Sequence, residues 1–259
     1  MNLILTEQRD AIGFITLNNP EKRNALSEAL VEAFLAGLDT LRKQHVRVVI
    51  LRARPGERVW SAGHDANELP TTQRDPLGWD DPLPQLVRGI QGFPAPIIAM
   101  IEGTVWGGAC EMALACDLIV ATPAATFALT PAKFGVPYNP SGMVTFLNAA
   151  SLHVVNEMAF TAQPLGAERA QRLGMVNHVV PISELEAFTL DLAHQIARNA
   201  PLSVAVMKEQ LRILSGARPL SPEGFERVQG LRRVVYESED YQEGIRAFKE
   251  KRQPDFKGR

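Results

Sequence analysis

A buried strand, a double glycine, an apolar helix and a second buried strand follow one another between Ile97 and Ala121, and few folds accept that order. Residues 97–101 and 117–121 are almost unbroken apolar runs. Such runs mark strands buried on both faces, which belong to parallel sheets covered by helices. Between them, Gly107 and Gly108 open a segment whose pattern predicts a helix to about Cys116. A strand that stops at Gly-Gly and turns into a helix leaves amide N–H groups unpaired at the helix start. Those groups, with the positive end of the helix dipole, face whatever lies ahead of them. Glycine has no Cβ, so a ligand can come close to the backbone. A single acid, Glu111, sits in the otherwise apolar run 109–116. Burying a carboxyl is costly unless it is paired or used. Glu111 is therefore either a functional acid or a rim residue, and Gly107-Gly108 is either a ligand-facing turn or a helix–strand packing point.

The same cadence extends in both directions. Residues 2–7 and 11–17 read as two antiparallel strands joined at Gln8-Arg9-Asp10, and Asn18-Asn19-Pro20 breaks the second. Ser27 is a good N-cap for a helix to Lys43, with Leu30, Val31, Phe34, Leu38 and Leu41 on one face. Residues 46–51 form a buried, parallel-type strand, and 59–62 a short strand ending at Gly63. The alternation predicts an α/β core with right-handed crossovers. Between Pro70 and Pro84 the chain is polar, proline-rich and without period, and is expected as a loop: a lid, a binding loop or a disordered segment. From about residue 140 the pattern turns helical, over 143–160, 182–199, 201–214, 222–237 and 239–250. Leu231, Val234, Val235 and Tyr236 need cover from the core or from another subunit, with the core as the default expectation.

The net charge of −2 gives no electrostatic case for nucleic acid or an anionic membrane surface. No apolar run approaches the ~20 residues of a transmembrane helix, and residues 1–7 lack the basic start of a signal peptide. The cysteines, Cys110 and Cys116, lie six residues apart in one helix and do not face each other, so no disulfide is expected. A cytoplasmic protein is the expectation.

A second junction stands at Ser61-Ala62-Gly63-His64-Asp65-Ala66-Asn67-Glu68-Leu69. Asp65 and Glu68 have capping-box spacing, which predicts a short helix and a free N–H at His64. Two junctions, at His64 and at Gly108, thus free an amide each. Two convergent amides are what an oxyanion hole requires.

Ser61-Ala62-Gly63-His64-Asp65 after a strand, followed by Glu102-Gly103-Thr104-Val105-Trp106-Gly107-Gly108-Ala109-Cys110-Glu111, resembles the crotonase (enoyl-CoA hydratase/isomerase) superfamily. Asn24-Ala25-Leu26 resembles the family's early CoA-contacting turn, and 239–244 and 251–256 resemble its C-terminal pattern. The stretches 61–65, 74–77, 80–83, 105–108 and 135–139 are similar to the branch of the family that decarboxylates methylmalonyl-CoA. The resemblance implies an α/β, crotonase-like spiral of ββα units over residues 1–195 carrying an acyl-CoA site. It implies a helical C-terminal trimerisation region over 196–259, giving a homotrimer or a dimer of trimers. It also implies no metal and no organic cofactor, with coenzyme A entering as part of the substrate. The amides of His64 and Gly108 would bind the thioester oxygen. Lys22, Arg23 and Ala25 would lie near the nucleotide, Ala62, Gly63, Asp65 and Ala66 along the pantetheine, and Thr130 and Lys251 would complete the substrate contacts. Each of the cations taken alone also reads as a solvated surface charge.

One departure bears on the reaction. Hydratases of this family use two glutamates. Glu111 matches one; the other would fall at Pro131 or Ala132, depending on a one-residue choice of alignment, and neither is an acid. Addition of water by a carboxylate pair is therefore not expected. Decarboxylation needs no base to begin. It needs the thioester oxygen held by two donors, each worth on the order of 3–4 kcal/mol of barrier, and the leaving carboxylate oriented. Tyr138 falls where a phenol could orient that carboxylate without adding a full charge; it also reads as a half-buried tyrosine after a proline turn. Glu111 is then a proton donor, a hydrogen-bond partner or a vestige, and the His64 side chain reads as exposed. The remaining histidines, His45, His153, His178 and His194, are scattered and suggest no metal site. The alternatives are hydration or isomerisation with Glu111 alone, and a non-catalytic CoA-binding member of the family.

Overall fold

The computed structural model describes residues 2–72 and 74–259; Met1 and Gln73, the latter inside the expected 70–84 loop, lie outside the described residues. A hairpin opens the chain: β1 (Ile4–Arg9) pairs antiparallel with β2 (Ile12–Leu17). Helix α1 (Glu28–Lys43) starts where expected, with Ser27 Oγ accepting from Leu30 N at 3.3 Å. Its buried face includes Leu30, Val31, Phe34, Leu38 and Leu41, as the period required.

Three strand–strand–helix turns follow. They are β3 (Val48–Ala53), β4 (Val59–Ser61) and α2 (Pro82–Gln91); β5 (Ile97–Ile101), β6 (Thr104–Trp106) and α3 (Gly108–Leu114); and β7 (Leu118–Ala121), β8 (Thr126–Ala128) and α4 (Pro140–Ala149). The chain continues through α5 (Leu152–Thr161), β9 (Leu165–Gly166), α6 (Ala167–Arg172), β10 (His178–Val179) and α7 (Leu185–Ala197). It closes with α8 (Pro201–Ser215), α9 (Pro222–Tyr236) and α10 (Glu239–Lys249). The first strand of each turn joins a six-stranded sheet of order β1-β2-β3-β5-β7-β10; the second joins a four-stranded sheet of order β4-β6-β8-β9. Within each sheet the successive strands β3, β5, β7 and β4, β6, β8 pair in parallel. This is the expected spiral of ββα units.

The larger sheet is apolar on both faces because both are covered. Val49, Leu51 and Ala99 pack with α1, α2 and α3, while Val48, Ile50, Ile98 and Met100 pack against Leu185 and Ala193 of α7. That two-sided burial accounts for the unbroken apolar runs.

Several expectations shift. The strand predicted at 46–51 lies at Val48–Ala53. The 70–84 loop ends early, because α2 begins at Pro82, a residue that suits a helix's first turn. The helix expected over 143–160 is two, α4 and α5, separated at Ala150-Ser151. Strand β6, only three residues long, intervenes between Ile101 and Gly107. Asp65 and Glu68 start no helix. Asp65 Oδ1 instead accepts from Asn67 N at 3.0 Å in a tight turn, and Glu68 Oε2 accepts from Glu28 N at 2.9 Å at the start of α1. Of the late apolar residues Tyr236 is in the core, but Leu231 and Val234 are 59% and 66% exposed, against the core expectation. Helix α8 buries none of its residues in this chain. Among the described residues no helix is long and apolar enough to cross a membrane.

Candidate active site

Strands β4 and β6 lie side by side and parallel, with Ser61 opposite Val105. The residues that follow them therefore emerge together at one edge of the smaller sheet. Gly63 makes the meeting possible. Its φ is +85°, and a Cβ there would collide with Trp106 O and stand 3.0 Å from Gly108 N. A Cβ built on Gly108 would in turn lie 3.6 Å from His64 N. The two junctions thus converge. In the bridge between Leu26 and His64, Leu26 N donates to Gly63 O at 2.7 Å and Asp65 N to Leu26 O at 3.4 Å, which leaves His64 N out. Gly108 N, in the first turn of α3, has no earlier helical carbonyl to bond. With seven residues, α3 is shorter than the expected helix to Cys116, and what it offers is an amide hydrogen more than a macrodipole.

The turn before α1 locks this edge. Asn24 is buried, donates to Trp60 O at 2.9 Å and accepts from Asn19 N at 2.8 Å. Ser61 Oγ donates to Asn24 O at 2.7 Å, and Ala62 N to Arg23 O at 2.9 Å. Lys22, Arg23 and Ala25 are thereby held beside Ala62, the residue that leads into Gly63 and His64.

A cavity of 460 Å³ opens in front of the two amides. Ten of the expected site residues line it: Lys22, Arg23, Ala25, Ala62, His64, Asp65, Ala66, Gly108, Thr130 and Tyr138. Gly63 lies in the wall behind them, and Lys251 is exposed and does not line the cavity of its own chain. Pro131 lines it, whereas Ala132 is exposed and does not, so neither alignment puts an acid there. Lys22, Arg23 and Lys133 are solvent-exposed. The sequence reading missed Leu83 of α2, Phe134, Val136 and Phe248 of α10, which supply apolar wall. Phe248 packs edge-on against Phe134 with ring centroids 5.3 Å apart. The C-terminal region expected from residue 196 thus contributes Phe248 to the cavity lined by the core.

Glu111 is 3% exposed and stands behind Tyr138, whose phenol donates a hydrogen bond to Glu111 Oε2. Glu111 lines a second cavity, of 490 Å³, with Asn139 and Arg232. Burial pushes the Glu111 carboxyl up to about 7, with the phenol's hydrogen bond opposing that rise. Burial, and then the Glu111 charge, push Tyr138 well above the ordinary phenol value, so it stays a neutral donor. The His64 ring is not exposed, contrary to expectation. Both its nitrogens are buried without a partner, and burial lowers its pKa against the opposing pull of Glu68. Among the described residues no group of three or more His, Cys, Asp or Glu side chains is placed to hold a metal. Cys110 and Cys116 are both buried free thiols.

Two unpaired amides, a neutral phenol and an apolar-walled cavity are an arrangement suited to stabilising negative charge on an acyl oxygen. The chain belongs to the enoyl-CoA hydratase/isomerase family, whose sequence pattern matches residues 7–259. It is 51% identical over 247 residues to methylmalonyl-CoA decarboxylase of Escherichia coli (strain K12), covering 95% of each chain. A solved structure of methylmalonyl-CoA decarboxylase with 2-nitronate-propionyl-CoA superposes with a TM-score of 0.98 at 49% identity, covering 99% of each chain. Another, complexed with 2S-carboxypropyl CoA, gives a TM-score of 0.98 at 48% identity, covering 100% of this chain and 99% of that one.

Proposed function

We infer that the chain is a carbon–carbon lyase that decarboxylates methylmalonyl-CoA to propionyl-CoA. The observation that carries this reading is the pairing of two convergent amides with a phenol, at a cavity where the position expected for a second acid, Pro131 or Ala132, holds no acid. The bond from Cα to the carboxylate breaks, its electron pair passes into the thioester, CO₂ leaves, and Cα takes a proton. The amides of His64 and Gly108 meet the charge that develops on the thioester oxygen. Tyr138 turns from Glu111 to the substrate carboxylate and holds it out of the thioester plane. Since the thioester is itself the electron sink, the reaction calls for no metal and no organic cofactor.

The electrostatics support this assignment. A cation beside the substrate carboxylate would stabilise the ground state and slow its loss. Tyr138 and His64 are neutral where they line the cavity. Lys22 and Arg23, exposed at the 20–23 turn, suit the phosphates of coenzyme A. Ala62, Asp65, Ala66 and Thr130 suit the pantetheine and acyl portions. Lys251 is assigned no contact within its own chain.

The exposed apolar residues of α8 and α9 support assembly through the 196–259 region into a trimer or a dimer of trimers. Two buried free thiols are compatible with a reducing, cytoplasmic setting. Incubation with methylmalonyl-CoA should release CO₂ and form propionyl-CoA. Hydration of crotonyl-CoA without CO₂ release from methylmalonyl-CoA would overturn the reading.

A further inference from the structure

Helix α9 lies outside the wall of the acyl cavity, yet one of its side chains reaches the frame that carries Tyr138. Arg232 is 5% exposed. Its Nη2 pairs with Asp75 at 2.7 Å, and its Nη1 donates to Gln229 Oε1 at 3.1 Å. Its Nε donates to the Pro137 carbonyl at 3.4 Å. Tyr236, one helical turn on, donates to the same carbonyl at 3.3 Å and accepts from Arg232 Nη2 at 3.4 Å. That carbonyl belongs to the peptide entering Tyr138.

The far side of Tyr138 is tied to the same loop. Asn139 accepts from Gly142 N at 3.1 Å to cap α4, and its Nδ2 donates to Leu77 O at 3.1 Å. Asp75 Oδ1 accepts from Leu77 N at 2.8 Å. The peptide before Tyr138, the residue after it and the 75–77 turn therefore close on one guanidinium. A buried ion pair adds little net stability over apolar packing. What a planar fork with several fixed donors does supply is geometry, and lysine cannot reproduce it.

We propose that Arg232 is a positioning residue for decarboxylation: by holding Asp75 and the Pro137 carbonyl together, it sets the aim of the Tyr138 phenol. It does not line the acyl cavity, so it acts through Tyr138 and the 75–77 turn. The inference rests on the role given above to Tyr138, and the test separates the two.

The test is a double-mutant cycle on kcat and KM for methylmalonyl-CoA, using Arg232→Gln, Tyr138→Phe and both together. Arg232→Gln should lower kcat on the order of tenfold with KM within about twofold, since small misplacements of an orienting group act on the rate. In the Tyr138→Phe background the same change should cost less than about twofold, because the phenol it aims is gone. Arg232→Lys should recover thermal stability without recovering kcat. An unchanged kcat in Arg232→Gln, or an equal loss in both backgrounds, overturns the inference. A Tyr138→Phe enzyme of undiminished rate overturns the role of Tyr138 instead. Should Arg232→Gln fail to fold, Asp75→Asn carries the same cycle, its partly exposed carboxylate being safer to neutralise. A loss of kcat confined to the Tyr138 background supports the clamp, and an equal loss in both, or none, overturns it.

Discussion

The two halves of the site are built from different materials. The half proposed to face the thioester oxygen is main chain: the amides of His64 and Gly108, placed by parallel pairing of β4 with β6 and by the close approach that Gly63 permits. The half proposed to face the carboxylate is side chain: Tyr138 leaning on Glu111, with its backbone tied to α9 and to the 75–77 turn. Short of proline, which deletes the N–H, a substitution can only displace a main-chain donor. Side-chain donors can be exchanged, and a family that keeps the first half can change its chemistry through the second.

The largest effect should come from displacing the first half. In Gly63→Ala the new methyl meets Trp106 O at a φ of +85°, so β4 and β6 must part at the point where the amides converge. The strain amounts to about 1–3 kcal/mol. Loss of one oxyanion donor should lower kcat on the order of 10²–10³-fold. Steady-state kinetics beside a thermal melt would read both. A folded variant with undiminished CO₂ release would show that the two amides are not the device.

The second half should answer by a smaller factor and through two independent substitutions. Tyr138→Phe removes the donor and keeps the ring; kcat should fall on the order of 10-fold to 10²-fold while affinity for the CoA portion is kept. Gly142→Ala keeps the hydroxyl and moves the ring, because a Cβ at Gly142 would collide with Tyr138 Cε1 and sit 2.8 Å from Cδ1. If orientation is what the phenol supplies, the two variants should be impaired alike. Equal losses in kcat and in acyl-CoA binding for Tyr138→Phe would instead assign the ring to structure.

The same division governs how much could be read before the structure. The main-chain half was legible because glycine marks it: Gly63 and Gly107 sit at positive φ, and Gly108 leaves room beside Leu83 and the His64 amide. The α/β alternation was legible from unbroken apolar runs, while the spiral of ββα units came only from the family resemblance. Strand β6 was not, since three residues give no period. Helix α2 was hidden because Pro82 and Pro84 look like breakers, although proline is at home in a first turn. Glu68 kept its role as a helix cap but served α1, 40 positions away in sequence. In the side-chain half, Tyr138 and Glu111 were legible as residues but not as a bonded pair. Arg232 meets Asp75 across 157 positions, a contact no local pattern carries. The faces of α8 and α9 read alike whether they meet a core or another copy.

Glu111 joins the two halves, sitting in the helix that supplies one amide while supporting the phenol, and it offers the smallest kinetic effect with the clearest pH signature. Burial raises its carboxyl from 4.5 to about 7 in the folded chain, against the phenol's opposing bond. Between those values the folded protein holds a proton that the unfolded chain has released. Its contribution to stability is therefore complete below about 4.5 and is lost as pH rises through about 7. The full swing is on the order of 3 kcal/mol. Glu111→Gln cannot titrate, so the stability of the wild-type protein relative to that variant should fall across this window in denaturant titrations; a constant difference would refute the raised carboxyl. Glutamine keeps the shape and the resting acceptor, and the ties at Pro137 and Asn139 still aim Tyr138 once its O–H turns to the substrate, so kcat should drop by no more than about fivefold, the size expected of an indirect partner. Near-total loss of CO₂ release would make Glu111 the proton donor to the enolate, and the side-chain half would then carry both the orientation of the carboxylate and the protonation that follows.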